Sequence, residues 1–123
     1  NFFHIFSYNI NETKLNDKSI KLIHIFMNTL VSLIPCDLCK IDTTQYFENK
    51  GFRRIKTKKE FVFFFYEFHN YVNKKTRKNL FPIKILNKYN NSSVIEPLKI
   101  IDKRIYKLKL NTQVYKFFLH ITN

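Results

Sequence analysis

The chain's two cysteines stand close together, in the stretch LIPCDLCKI. A Cys-x-x-Cys pair at a helix N-terminus places both sulfurs on one side of the first turn. There the free backbone amides and the positive end of the helix dipole favour the thiolate of the first cysteine. The thiolate is the species that carries out disulfide exchange, and this spacing allows a small, reducible disulfide. Cys36 and Cys39 are therefore candidate catalytic residues.

Two other interpretations of the cysteine pair stay open on the sequence alone. A pair of buried, inert thiols would have the same spacing and no chemistry. A zinc site needs four ligands, and only two cysteines exist. The histidines that would have to complete such a site show no paired spacing, so we predict no metal. They are His4, His24, His69 and His120.

The stretch FHNYVNKKTRK is the second group of residues suited to chemistry. On a helix it would form a polar face beside an apolar, Phe-rich stripe, where polar groups need partners. His69 can stack on a flat ring, and Asn70 and Asn73 can pair with the edge of a heterocycle. Lys75 and Lys78 follow within reach of phosphates. The set suits a nucleotide cofactor, although a plain polar helix face would use the same residue types.

The elements that must position these residues are predicted to be helices. The chain of 123 residues has one Gly and three Pro, whereas strands joined by tight turns usually need more glycine. The fold class is therefore mainly all-α. Four helices are predicted. The first covers residues 2–10, the second runs from an N-cap at Asp17 to Pro35, and the third covers 36–47. The fourth starts at a capping box of Thr57 and Glu60.

Two segments have an uncertain place in this bundle. The second helix has two apolar faces, which predicts burial inside a bundle or at a subunit interface. One of these faces contains Leu22, Ile25, Phe26 and Leu33. Beyond Pro82 the chain becomes turn-rich. Its last part predicts one or two short helices or a strand pair, because RIYKLKL alternates with period two.

The motifs PCDLC and, some thirty residues later, FHNYVNKK resemble the Erv/ALR family of flavin-dependent sulfhydryl oxidases. That family pairs a Cys-x-x-Cys with a His-Asn-x-Val-Asn-x-Lys motif. Its first helix carries a histidine followed by an aromatic residue, which FHIFSYNI matches through His4 and Tyr8. The short form, with Pro35 before the first cysteine, resembles versions encoded by large DNA viruses. The resemblance covers roughly residues 2–80.

The resemblance implies a four-helix-bundle flavin-binding domain over residues 1–82, with a C-terminal extension over 83–123 as a separate segment. It implies FAD as the cofactor. The residues that would bind FAD are His4, Tyr8, Cys39, His69, Asn70, Val72, Asn73, Lys75 and Lys78.

The resemblance also implies the reaction and its partners. A substrate thiolate would attack Cys36, and Cys39 would pass electrons through FAD to O2, which gives H2O2. The chain lacks a further shuttle cysteine pair, so the substrate would be a separate dithiol protein, thioredoxin-like or a viral relay protein. The family is commonly dimeric, which agrees with the two-faced second helix. A viral enzyme would act in the host-cell cytoplasm, at the virus assembly site or in the virion.

Several positions depart from the family's pattern. The family's tryptophan before the first-helix histidine falls on Asn1, and the chain has no tryptophan. Where the family has Leu-Gly after the lysine, this chain has Thr76-Arg77. Where the family often has a cysteine before the His-Asn pair, this chain has Tyr66. These departures make a flavin-free scaffold a further alternative.

The net charge of +13 supports a competing class, a basic helical protein that binds nucleic acid. That interpretation leaves the cysteine pair and the His-Asn motif without a role, so we expect no nucleic-acid partner. No secretion signal is visible, and the longest apolar run, LIHIFMNTLVSLI, is too short and too polar to span a membrane.

Overall fold

The computed structural model describes residues 2–123. Across this range every regular element is helical, which confirms the mainly all-α prediction. The α-helices are α1 (Phe2–Tyr8), α2 (Asp17–Ser32), α3 (Asp37–Asn49), α4 (Lys58–Lys75), α5 (Ile95–Lys99) and α6 (Thr112–Ile121). Short 3-10 turns lie at Glu12–Lys14, Phe52–Arg54 and Ile83–Tyr89, and a π-helical turn at Ile100–Ile105.

The helix starts are set by side chains that accept backbone amides. Thr57 and Glu60 form the predicted capping box of α4. The expected N-cap at Asp17 is wrong by one residue: Asn16 caps α2 and shares a capping box with Ser19, while Asp17 is the first helical residue. Asparagine is as good a cap as aspartate, so the sequence offered two equivalent positions.

The core that holds the bundle is mostly phenylalanine. Phe6, Phe52 and Phe61 are almost completely buried. Phe3 on α1 stacks on Phe65 on α4, with ring centroids 5.2 Å apart. These ring contacts fix α1 against α4, which carry the two halves of the predicted cofactor motif.

The strand-pair alternative for the C-terminal segment is wrong. Asp102 is buried, and its carboxylate accepts the amide of Leu110 at 3.0 Å and the hydroxyl of Tyr115 at 2.7 Å. Lys107 and Lys109 adopt positive φ, which an extended strand does not allow. The chain therefore folds back around one carboxylate, and the period-two alternation of RIYKLKL does not produce a strand.

The C-terminal segment contributes to the core of α1. Phe118 on α6 makes edge contacts with Phe2 at 5.5 Å and Phe6 at 5.3 Å. Leu98 and Ile121 belong to the same buried cluster. The division into 1–82 and 83–123 stays a prediction from the sequence.

Among residues 2–123, no helix has both the length and the apolar composition needed to cross a membrane.

The position of Phe118 predicts that Phe118→Ala lowers the free energy of unfolding by about 3–5 kcal/mol, the usual cost of removing a buried aromatic ring. Leu119→Ala is the matched control, because the neighbouring Leu119 is 47% exposed. Urea denaturation followed by circular dichroism measures both. Equal, small losses for the two variants would show that α6 does not belong to the core.

Candidate functional site

The cysteine pair lies at the start of α3, as the sequence predicted. Cys36 is the N-cap, and its sulfur accepts the backbone amide of Cys39 at 3.3 Å. Both cysteines are free and exposed, so the interpretation of a buried, inert pair is wrong. Leu38, between them, is 80% exposed. The site is open to a large thiol substrate.

The two thiols differ in acidity. Hydrogen bonds from the side chain and the amide of Cys39 lower the pKa of Cys36, against the opposing charge of Asp37. The hydrogen bond between the two thiols raises the pKa of Cys39, and partial loss of solvent contact and the negative charges of Cys36 and Asp42 add to this. Cys36 is therefore the thiol that ionises first, and the better leaving group in disulfide exchange.

The helical spacing turns the two sulfurs towards different neighbours. Cys39, Asp42 and Tyr46 stand at i, i+3 and i+7. Asp42 accepts the hydroxyl of Tyr71 at 2.7 Å and the ammonium of Lys75 at 2.8 Å, so this row of α3 faces α4. Cys36 begins a different row, which continues along the side of α3 towards α2.

A pair of histidines joins α1 to α4. His4 Nε2 and His69 Nδ1 lie 2.8 Å apart, although 65 residues separate them in sequence. His4 is almost fully buried, and its ring stacks on Phe81 at 5.5 Å and on Tyr89 at 5.6 Å. Phe81 also stacks on His69 at 5.1 Å. The structure thus brings together the histidines of both predicted cofactor motifs.

Both histidines are neutral near pH 7. Burial, together with the charge of His69, lowers the pKa of His4 to about 4. Burial and the nearby Lys78 also lower the pKa of His69. One ring must donate and the other accept in their shared hydrogen bond, and either tautomer leaves Nδ1 of His4 buried without a partner among residues 2–123. A buried polar atom in this state is an unsatisfied hydrogen-bonding group.

A cavity of about 170 Å³ opens beside the histidine pair. It is smaller than the roughly 300–1,000 Å³ of typical ligand pockets, so a flavin ring would have to displace side chains at its rim. Asn73 is buried one turn beyond His69 on α4, on the same side of the helix. The cavity is lined by Phe3, His4, Phe65, Phe68, His69 and Val72.

The unpartnered Nδ1, a buried amide and apolar rings form a donor set that fits a flat heterocycle such as that of FAD. A flat ring needs apolar faces to lie against and polar groups at its edge. The aromatic residues provide the faces, His4 lines the same cavity, and Asn73 is buried one turn beyond His69.

The remaining predicted cofactor residues lie elsewhere or have other partners. Lys75 is held by Asp42 on the opposite side of α4 from Asn73. The hydroxyl of Tyr8 donates to Asn87. Asn70 holds the backbone of Phe81 from both its amide and its carbonyl. The charge of Lys78 acts on His69. Their cofactor roles stay predictions.

Phe81 and Tyr89 are neighbours of the histidines that the sequence did not predict. Both lie in the connector after α4, which had no periodicity to place it. The stretch LFP could have indicated the position of Phe81. A residue just before a proline has an extended backbone, so an aromatic ring there can lie flat across a helix end.

Comparison with protein families gave one result. A model described as the Erv1/Alr family matches residues 1–92, which is three quarters of the chain. Searches of curated proteins and of solved structures found no match.

The acidity difference predicts which thiol reacts first. Limiting iodoacetamide at pH 7 should label Cys36 of the reduced chain about threefold or more over Cys39, because only the thiolate is alkylated. Tandem mass spectrometry locates the label. The urea-unfolded chain is the control and should label nearly equally. A preference for Cys39 in the folded protein would reverse the assignment.

Proposed function

The chain belongs to the Erv1/Alr family, and on that premise we propose that it is an FAD-dependent sulfhydryl oxidase that forms disulfides in a dithiol protein. Family membership supports sulfhydryl oxidase activity in general. The observation that carries the finer proposal is the buried, unpartnered Nδ1 of His4 beside His69. Burying such an atom without a hydrogen-bond partner costs about 1–3 kcal/mol of stability. A bound cofactor that supplies the missing hydrogen bond would remove this cost.

The proposed exchange begins on the oxidised cysteine pair. A substrate thiolate attacks Cys36 Sγ, the Cys36–Cys39 bond breaks, and Cys39 leaves as a thiolate. The second substrate thiol, as its thiolate, then attacks the substrate sulfur of the mixed disulfide and releases the Cys36 thiolate. The substrate has lost two electrons and two protons, and the cysteine pair has gained the electrons. The lowered pKa of Cys36 speeds the second release.

Bound FAD would supply the redox chemistry by which these two electrons pass from the cysteine pair to O2, with H2O2 as the product. His4, His69, Val72 and Asn73 are the residues that we propose hold it, because the first three line one cavity and Asn73 is buried one turn beyond His69. Lys78 adds positive charge at the same end of α4. Lys75 and Tyr8 would first have to leave Asp42 and Asn87.

The proposal includes a protein substrate and a second copy of the chain. The proposed substrate is a separate dithiol protein, thioredoxin-like in its chemistry, because Cys36 and Cys39 are both exposed and so accessible to one. Leu22, Ile25 and Leu33 share one face of α2 and are each at least 41% exposed. This apolar face supports a homodimer. The resemblance to viral forms supports action at a virus assembly site or in the virion.

The proposal predicts that the full chain binds FAD non-covalently and oxidises dithiothreitol, with H2O2 formed in equal amount. Cys36→Ser and Cys39→Ser should each lower the rate at least about a hundredfold, because each removes one sulfur of the exchange. His120→Gln, at an exposed position on α6, is the control and should keep full activity. Oxygen consumption and a peroxide assay measure both products.

A folded chain that takes up no FAD and retains DNA tightly at moderate salt would contradict the proposal. That outcome would support the nucleic-acid-binding alternative instead, because phosphate binding by a basic protein is driven by counterion release.

A further inference from the structure

A groove separate from the histidine site runs between the end of α2 and α3. It encloses about 650 Å³. Two buried rings that line it, Phe47 and Phe52, pack at a tilt with their centroids 4.8 Å apart. The residues lining it are Asn28, Val31, Ser32, Lys40, Thr44, Phe47, Glu48, Phe52, Arg53 and Arg54.

The groove carries unneutralised positive charge. Lys40, Arg53 and Arg54 line it, with Glu48 as its only carboxylate. The ion pairs within residues 2–123 are Lys75 with Asp42 and Lys99 with Glu96, so none of the three groove cations has an ion-pair partner there. Three cations against one carboxylate favour an anionic occupant.

The groove begins one helical turn from Cys36. The amide of Lys40 donates to the carbonyl of Cys36 at 2.9 Å, and Thr44 follows one turn further along the same row. At 1.5 Å per residue, the groove wall on α3 extends from about 6 Å to about 18 Å beyond Cys36. A chain whose cysteine attacks Cys36 would therefore continue into the groove.

We propose that the groove binds an acidic segment next to the reactive cysteine of the dithiol substrate protein. The inference rests on the proposed oxidase function and adds a substrate preference to it. An extended chain advances about 3.3 Å per residue, so the acidic residues would stand roughly two to five positions from that cysteine. Arg53 and Arg54 offer planar guanidinium groups that suit carboxylates.

The shape of the groove favours a peptide over nucleic acid. Single strands are held by aromatic rings on which bases stack. Phe47 and Phe52 are 7% and 2% exposed, so they offer no stacking surface. Glu48 in the same wall would also repel a continuous phosphate backbone, whereas a peptide can place a neutral residue beside it.

The test uses the full, FAD-loaded chain and three Cys-x-x-Cys peptides. The first peptide carries two glutamates within the five positions after its second cysteine. The other two peptides carry two glutamines or two lysines at the same positions. The expected order of kcat/KM is glutamate, then glutamine, then lysine, because opposite charges attract in the groove. Arg53→Glu should lower kcat/KM for the acidic peptide about fivefold and raise it for the lysine peptide.

The controls separate this inference from the proposed function. Lys40→Glu is a second groove variant and should act like Arg53→Glu. Lys116→Glu makes the same charge change on exposed α6 and should leave the order unchanged. Dithiothreitol turnover should be equal in all four proteins. Loss of that turnover in the unmodified chain would mean that the oxidase proposal fails.

A second measurement uses the acidic peptide with serines in place of its cysteines, which cannot be oxidised. Fluorescence anisotropy then gives its affinity for the groove in the absence of turnover. Weaker binding by Arg53→Glu than by the unmodified chain would support the groove assignment. Equal kcat/KM for the three peptides with normal dithiothreitol turnover would overturn it. So would displacement of the acidic peptide by a single-stranded oligonucleotide that binds more tightly.

Discussion

The contact between His4 and His69 is the constraint on which the site depends. It joins the buried His4 on α1 to the half-buried His69 on α4 through a 2.8 Å hydrogen bond. Burial keeps both rings neutral, so neither repels the other as a cation. The cost is Nδ1 of His4, a buried polar atom that has no hydrogen-bond partner among residues 2–123 and so weakens the fold.

The surrounding rings offset that cost. Phe3 stacks on Phe65, and Phe118 closes on Phe2 and Phe6, so α1 is held by apolar contacts from α4 and from the C-terminal segment. Hydrophobic packing can hold a polar pair in a fixed place even where hydrogen bonding is incomplete. A helix of seven residues has little stability of its own, so α1 depends on these neighbours.

α4 serves two separate contacts from its two sides. One side carries His69 towards α1, and the other carries Tyr71 and Lys75 towards Asp42 of α3. Asp42 stands one turn after Cys39, so the ion pair and hydrogen bond fix the cysteine helix against α4. In this arrangement the proposed cofactor site and the disulfide site are positioned by the same helix.

The sequence predicted those parts that local patterns determine. The Thr57–Glu60 capping box and the position of the cysteine pair at a helix start depend on neighbours within four residues. The strand-pair alternative failed because the buried carboxylate of Asp102 accepts hydrogen bonds from Leu110 and Tyr115 and so holds the chain in a turn. The hydrophobic periodicity of the sequence does not predict such a turn. The ion pair of Lys75 with Asp42 and the stacking of Phe81 on His4 were missed because both join residues far apart in sequence.

The most direct test of the central claim is a pair of measurements on His4→Leu. If Nδ1 of His4 is reserved for FAD, the variant should bind FAD about tenfold more weakly, since one buried hydrogen bond is lost. The FAD-free variant should be as stable as the unmodified chain within about 1 kcal/mol, because the substitution also removes an unsatisfied polar atom. Flavin titration and urea denaturation give the two values. Unchanged FAD affinity, or a large loss of stability with FAD binding intact, would show that His4 is a structural residue and contradict the account.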